Sequence, residues 1–442
     1  MRTVLLWIAG TFVVWPIHST AATVGDKPIE LMLSDVLCLL VPFLYLFART
    51  PQPKSIAKNT KQVVHGDRLT PLIAIVFIAY ATTLAGIGMG MTGEMIRLYS
   101  AFKLVKPIGF VVLGLLLGIW IDPFEFIKTI GWVFGVVSAM TMCCTITSPE
   151  FPAGEWGRSI YEWDLSGYPN SPMSFYAAMV PLLLAAAESS RHRFLPLLGW
   201  CLAGGTALTI LGSMSRSSTL VLLFGTIIYL ITTGRTAVLA GCFVAIMVFS
   251  VIGFGLFSIA KDTAVVATLE ERVQQRLERS TESEDPSSGR FDIWQLALEL
   301  AVEKPVFGYM FESFSRYSEF DTPHQQYLEV LHKCGTLGLM LYLALLVSGL
   351  STIIRLKRRA RSESEPWYLL RGMQGMIVGL MIGNLTQPNL TFSLTGNLVF
   401  LLFGCLSSSR AVITAGRPRL STQNLLPQSK KPMPRPIGRV AA

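Results

Sequence analysis

Apolar runs, separated by short polar connections, recur along most of this chain. A helix that crosses a hydrocarbon core needs about 20 predominantly apolar residues. About twelve segments qualify, near 3 to 18, 31 to 48, 71 to 92, 99 to 120, 129 to 147, 172 to 188, 194 to 212, 218 to 233, 236 to 259, 335 to 354, 370 to 388 and 392 to 409. The pattern predicts an all-α, polytopic integral membrane protein with about twelve transmembrane helices. Its first nine helices fill residues 1–259, with a smaller loop near 149–171. A large helical loop follows at 260–334, then the last three helices at 335–409 and a basic tail at 410–442. The first segment is short, and its His-Ser-Thr-Ala-Ala tail has the character of a signal-peptide cleavage region.

The cations orient this bundle, because Lys and Arg are retained on the cytoplasmic side of short loops. Arg49, Lys54, Lys58, Lys61 and Arg68 share one connection, Arg191 and Arg193 a second, and Arg355, Lys357, Arg358, Arg359, Arg361 and Arg371 a third. Alternation of the spans puts all three on one side, with both termini. The 410–442 tail is Pro-rich and basic, too polar to fold alone, and is expected to be a disordered cytoplasmic segment that touches anionic lipid. The loops 149–171 and 260–334 then lie on the opposite, extracytoplasmic side.

The longer loop has helical pattern of its own. Val266, Leu269, Val273 and Leu277 recur at helical spacing, as do Ile293, Leu296, Ala297 and Leu300, with a polar hinge STESEDPSSG between them. A third helix is expected with Thr322 as N-cap and Pro323 at its first position, and Gly335 as a break before the next span. Amphipathic helices beside a membrane lie on it or roof a cavity.

Composition narrows the class. Of 442 residues, 51% are hydrophobic and only 15% charged, and the mean hydropathy is +0.51, which excludes an ordinary soluble enzyme. The net charge of +9 belongs to the cytoplasmic loops and the tail, not to a nucleic-acid surface. Seven cysteines, mostly inside apolar stretches, imply neither a disulfide framework nor a metal site.

Three extracytoplasmic residues carry candidate chemistry. Arg216, between the seventh and eighth spans, opposes the charge rule. It is either a snorkelling anchor or an anion clamp whose forked donors suit phosphate. Arg290 opens an amphipathic helix, where a cation opposes the dipole, and that modest cost suggests a binding role. His324, expected in a first helical turn, has surroundings that attract phosphate and favour the neutral imidazole a general base requires. His332 reads as structural.

These residues resemble the O-antigen ligase and polymerase superfamily of bacterial envelope glycan assembly. The resemblance rests on the outside arginine after a Ser, on SGRFDIW followed by KPVFGYMFESF, and on PHQQYLEVLHKCGTLGLMLYLALL, within a plan of about twelve spans. An Asn is usual after the histidine, where this chain has Gln325. The resemblance implies a glycosyltransferase. It implies that Arg216 and Arg290 hold the pyrophosphate of an undecaprenyl-linked glycan donor while His324 activates the acceptor. It also implies a multi-pass protein of the bacterial inner membrane, with its active site on the periplasmic face. A diphosphate is already a good leaving group, so no cofactor is expected, and attack from the opposite face would invert the anomeric centre. With no outside Asp-x-Asp pair, metal independence is expected. GRSIYEWDLSGYPNSPMSFY is similar to the family's third outside loop, which makes Arg158 a further phosphate or sugar contact, or else a plain surface arginine. Trp156, Tyr161, Trp163 and Tyr168 suit sugar stacking or an interfacial belt. The expected reaction is O-antigen ligation onto a lipid A core sugar. The alternatives are an O-antigen polymerase or a protein O-oligosaccharyltransferase with the same donor, and, from another class, a lipid-linked glycan transporter. The charges clustered in one outside loop disfavour the transporter.

Two further patterns are set aside. Gly88 to Gly93 fits G-x-G-x-x-G but ends an apolar span, where small residues serve close packing. The acceptor-like Asn384-Leu-Thr386 and Asn389-Leu-Thr391 read as incidental.

Overall fold

The computed structural model describes residues 67–147, 170–212, 215–238, 290–391 and 393–408, with short pieces at 7–8, 10–11, 14, 18–24, 27–32, 61–63 and 412–414. Most of the first, second and ninth expected spans lies outside these residues. So do residues 149–169 of the smaller loop, the first helix of the large loop and nearly all of the tail.

The other nine expected spans are helices. They are α1 (Leu69–Thr92), α2 (Ile96–Trp120), α3 (Pro123–Thr147), α4 (Asn170–Glu188), α5 (Phe194–Gly212) and α6 (Arg216–Thr233), and, beyond the loop helix α7 (Arg290–Glu303), α8 (Gln326–Arg359), α9 (Glu365–Gly383) and α10 (Ser393–Ser407). Among the described residues, six are long and apolar enough to cross a membrane: α1, α2, α3, α5, α6 and α8. Met173–Glu188 and Leu394–Ser407 are shorter apolar helices. Two small antiparallel ladders accompany the helices, His18–Val24 with Lys27–Met32 and Lys61–Val63 with Val412–Thr414. The second ladder joins Val412–Thr414 of the tail to Lys61–Val63 of the basic 49–68 connection.

One extended apolar core joins α1 to α6 with α8, α9 and α10. Small residues let α6 and α9 meet backbone to backbone, since a Cβ at Gly375 would stand 2.5 Å from the Gly225 carbonyl oxygen and one at Gly379 would stand 2.6 Å from that of Val221. This contact fixes the depth of α6, which opens with Arg216, against α9.

Ion pairs gather the cation-rich ends of the helices. Arg355, near the end of α8, donates to Asp67 ahead of α1 at 2.7 Å, and Lys128 of α3 pairs with Glu365 of α9 at 3.2 Å. Arg235 after α6 pairs with Glu188 of α4 at 3.3 Å. At the other end, α7 buries Ile293, Ala297 and Leu300 against Tyr309, Phe314 and Leu328 in a separate small core. The apolar spacing read for this helix therefore marks its buried face.

The third loop helix departs from expectation. It begins at Gln326, and the Gln325 side chain caps it by accepting from the Leu328 amide at 2.8 Å. Thr322, Pro323 and His324 all precede it. The cap falls later because Pro323 is held outside the helix: the Trp294 indole of α7 donates to its carbonyl at 3.1 Å. The expected break at Gly335 is present, with φ 68° and ψ −171°. There the Thr336 amide donates to Pro305 at 2.7 Å, and a Cβ at Gly335 would lie 2.1 Å from the Val306 carbonyl oxygen. Only glycine fits so close an approach in that backbone conformation.

Candidate functional site

The end of the bundle opposite the cation-rich one brings together the first residues of α6, α7 and α8 and the α9–α10 connection. Arg216 opens α6 behind the N-cap Ser215, whose side chain accepts from the Ser218 amide. Ser215, Ser217 and Ser218 are buried while Arg216 is exposed. Arg290 opens α7, is half-buried, and donates to the Thr386 carbonyl at 3.3 Å. His324 lies in the turn ahead of α8, half-buried, with its ring edge-on to Phe320 at 5.5 Å.

His324 has φ 54°, a left-handed conformation that costs a non-glycine residue on the order of 1 kcal/mol. Two elements hold it there. The Trp294 indole fixes the preceding carbonyl, and the α8 cap begins at the next residue. The expectation that His324 sits in the first helical turn is corrected, since it stands two residues before Gln326. Its neutral form is favoured for other reasons than a helix terminus. Burial lowers its pKa from 6.5, the Arg290 charge lowers it further, and Glu329 pulls partly the other way. Arg290 is itself shifted down, by burial and then by the Arg216 charge.

These couplings form a chain: Arg216 acts on Arg290, and Arg290 acts on His324. Three residues far apart in sequence thus share one electrostatic neighbourhood. Two guanidinium groups in one neighbourhood favour a multiply charged anion such as a diphosphate. An imidazole kept neutral by burial and by the Arg290 charge is a ready proton acceptor. Arg158 and the aromatics Trp156, Tyr161, Trp163 and Tyr168 lie outside the described residues.

Other residues position the site without announcing themselves in the sequence. Arg97 of α2, 4% exposed, donates to the carbonyls of Tyr309 at 2.8 Å and Met310 at 3.2 Å, and pairs with Glu94 and Glu312. Arg316 closes the cluster on Glu94 and Glu312. This clasp holds Met310 and Phe311 at φ 49° and 65° and ties α2 to the loop between α7 and α8. Gly88 of α1 packs there too, where a Cβ would lie 2.7 Å from the Met310 carbonyl oxygen. Its role is close packing, as its place at the end of an apolar span suggested. A buried arginine at the start of a transmembrane helix was the available signal.

The second missed group is the α9–α10 connection. Gln326 of α8 takes the Asn384 carbonyl through its backbone amide at 3.0 Å, and its side chain bonds Thr391 in both directions at 2.8 and 3.0 Å. Asn384 and Asn389 are both 0% exposed. The paired Asn-Leu-Thr pattern set aside as incidental marks this connection. His332 is structural as expected: buried, stacked on Tyr309 at 4.9 Å and edge-on to Phe314 at 5.2 Å.

Residues 200–343 match the family model described as O-Antigen ligase. By this match the chain carries an O-antigen ligase family domain. The matched stretch covers about a third of the chain and contains Arg216, Arg290 and His324, the residues that carried the resemblance. The O-antigen ligase match supports an enzyme of the broad ligase or polymerase type, built as a multi-pass membrane protein. It stops short of the Asn384 to Thr391 connection. No curated protein matches the chain.

Proposed function

We propose that this protein is an O-antigen ligase that transfers a glycan from undecaprenyl diphosphate to a hydroxyl of a lipid A core sugar. One observation carries the proposal: at one end of the bundle, inside the matched segment, the Arg216 charge acts on Arg290 and the Arg290 charge acts on His324. The acceptor oxygen attacks the anomeric carbon as the bond from that carbon to the diphosphate oxygen breaks. The hydroxyl proton passes to the neutral imidazole of His324. The electron pair leaves with the diphosphate, whose growing charge the two arginines neutralise. Attack opposite the leaving group inverts the anomeric centre. The diphosphate is already a good leaving group, so the step needs no nucleotide.

The site is assigned to the periplasmic face of the inner membrane, opposite the basic connections, with twelve spans in all. The experiment is transfer by purified protein given undecaprenyl diphosphate glycan and either rough lipopolysaccharide or a second donor molecule. Glycan joined to rough lipopolysaccharide is the expected product, formed equally in chelator. Lengthened lipid-linked glycan with no product on lipopolysaccharide would make the protein a polymerase.

A further inference from the structure

Asn384 and Asn389 bracket a short connection at the end of α9, and neither is exposed. Neither end of the Asn389 amide has a hydrogen-bond partner among the described residues. Its nitrogen lies against α9, 3.0 Å from where a Cβ on Gly383 would stand, in a place also lined by Val221 of α6. The Asn384 amide acts on the Tyr327 hydroxyl but makes no hydrogen bond of ordinary geometry. That hydroxyl already donates to Met381 at 2.8 Å. Burying an amide without partners is costly, and here Asn389 is such an amide, with the weakly held Asn384 amide five positions before it.

The segment is tied to the candidate site. Thr386 accepts from Arg290, the Asn384 carbonyl accepts from the first residue of α8, and Thr391 bonds the Gln326 side chain. Val221, which lines the same place, is five residues beyond Arg216, about 7.5 Å along α6 at 1.5 Å per residue. The connection that carries both amides therefore adjoins Arg290 and the first residue of α8. A primary amide is neutral and offers donors and an acceptor together. That suits hydroxyl groups on a sugar ring better than phosphate, which the arginines already match.

We propose that Asn384 and Asn389 form a subsite for the hydroxyls of a sugar ring at the reacting centre. The subsite rests on the glycosyl-transfer reading above and names the ring recognised beside the diphosphate. Because both amides are closed to solvent, a ring reaches them when the Leu385 to Pro388 turn shifts. Leu385, 48% exposed, sits at its edge.

Leucine, close to asparagine in shape but apolar, separates a ligand role from a packing role. Asn384→Leu and Asn389→Leu remove a costly buried group, so each should keep or raise the thermal midpoint. Each should also lower transfer at least tenfold, with a raised KM for one substrate. A raised donor KM assigns the ring to the lipid-linked glycan, and a raised acceptor KM assigns it to the acceptor. Unchanged transfer, or a midpoint that falls together with transfer, overturns the subsite. Hydrogen exchange on the unmutated protein tests it independently of folding. Exchange across residues 384–391 should slow with lipid-linked donor or with acceptor glycan and stay the same with inorganic pyrophosphate alone. No slowing with either glycan, or equal slowing with pyrophosphate, also overturns it. Absence of glycan transfer by the unmutated protein to any acceptor would defeat the transfer reading, while exchange slowed by glycan across residues 384–391 would still stand for the subsite.

Discussion

His324 shows how a single residue's environment decides its chemistry. Burial and the Arg290 charge hold its pKa below 6.5, and Glu329 alone offsets them. A histidine shifted down stays neutral, and so able to accept a proton, further into acid than an ordinary one. The acid limb of kcat/KM, which reports the free enzyme, should therefore have its midpoint below 6.5. Glu329→Gln removes the one opposing charge, so the limb should move to still lower pH. A limb that stays in place or moves upward would show that Glu329 does not act on His324. Glu329 is 2% exposed and paired with Lys333 at 2.5 Å. The residue types of this site were legible in the sequence: an arginine on the wrong side of a charge rule, another opposing a helix dipole, and a histidine at the start of a helix. The reason for the neutral imidazole was not, because it depends on charges from α7 and α8 that meet only in the fold.

At the scale of elements, the site depends on how the loop between α7 and α8 is held. Arg97 provides much of that hold, with two carbonyl acceptors and two carboxylates around a guanidinium at 4% exposure. Removing one member of a buried, hydrogen-bonded charge group costs on the order of 3 kcal/mol. Arg97→Ala should therefore loosen residues 304–317, seen as faster proteolysis there and weaker transfer, while α1 and α2 remain inserted. Unchanged proteolysis would show that the loop is held by its own apolar core. Periodicity revealed α7 because its buried stripe is regular, with Ile293, Ala297 and Leu300 all inward. The start of α8 was misplaced by three residues because Thr322 and Pro323 are sound local start signals. A tertiary contact, the Trp294 indole on the Pro323 carbonyl, overrides them. The break at Gly335 was readable in advance, since glycine punctuates helices whatever surrounds it.

Across the whole molecule, charge and hydropathy gave the architecture earliest. Nine expected spans correspond to helices within a residue or two at most boundaries, with α8 extending before its span and α9 ending earlier. The basic connections meet at one end through Asp67 with Arg355 and Lys128 with Glu365. The Asn384 and Asn389 connection was passed over because its meaning depends on three helices that converge on it. The proposed orientation predicts that, with the native cysteines replaced, Ser318→Cys is labelled by a membrane-impermeant thiol reagent from the periplasm. Ser362→Cys should be reached only after the membrane is opened. The reverse pattern would put the site in the cytoplasm and end the lipid-linked donor assignment.

The convergence of two arginines and one histidine into a single transfer site is tested most directly by His324→Ala. Purified variant and unmutated protein are compared for binding of undecaprenyl diphosphate glycan and for single-turnover transfer to rough lipopolysaccharide. Donor binding close to that of the unmutated protein, with transfer lost, is the expected result. Transfer at the unmutated rate would contradict the assignment of His324 as the base.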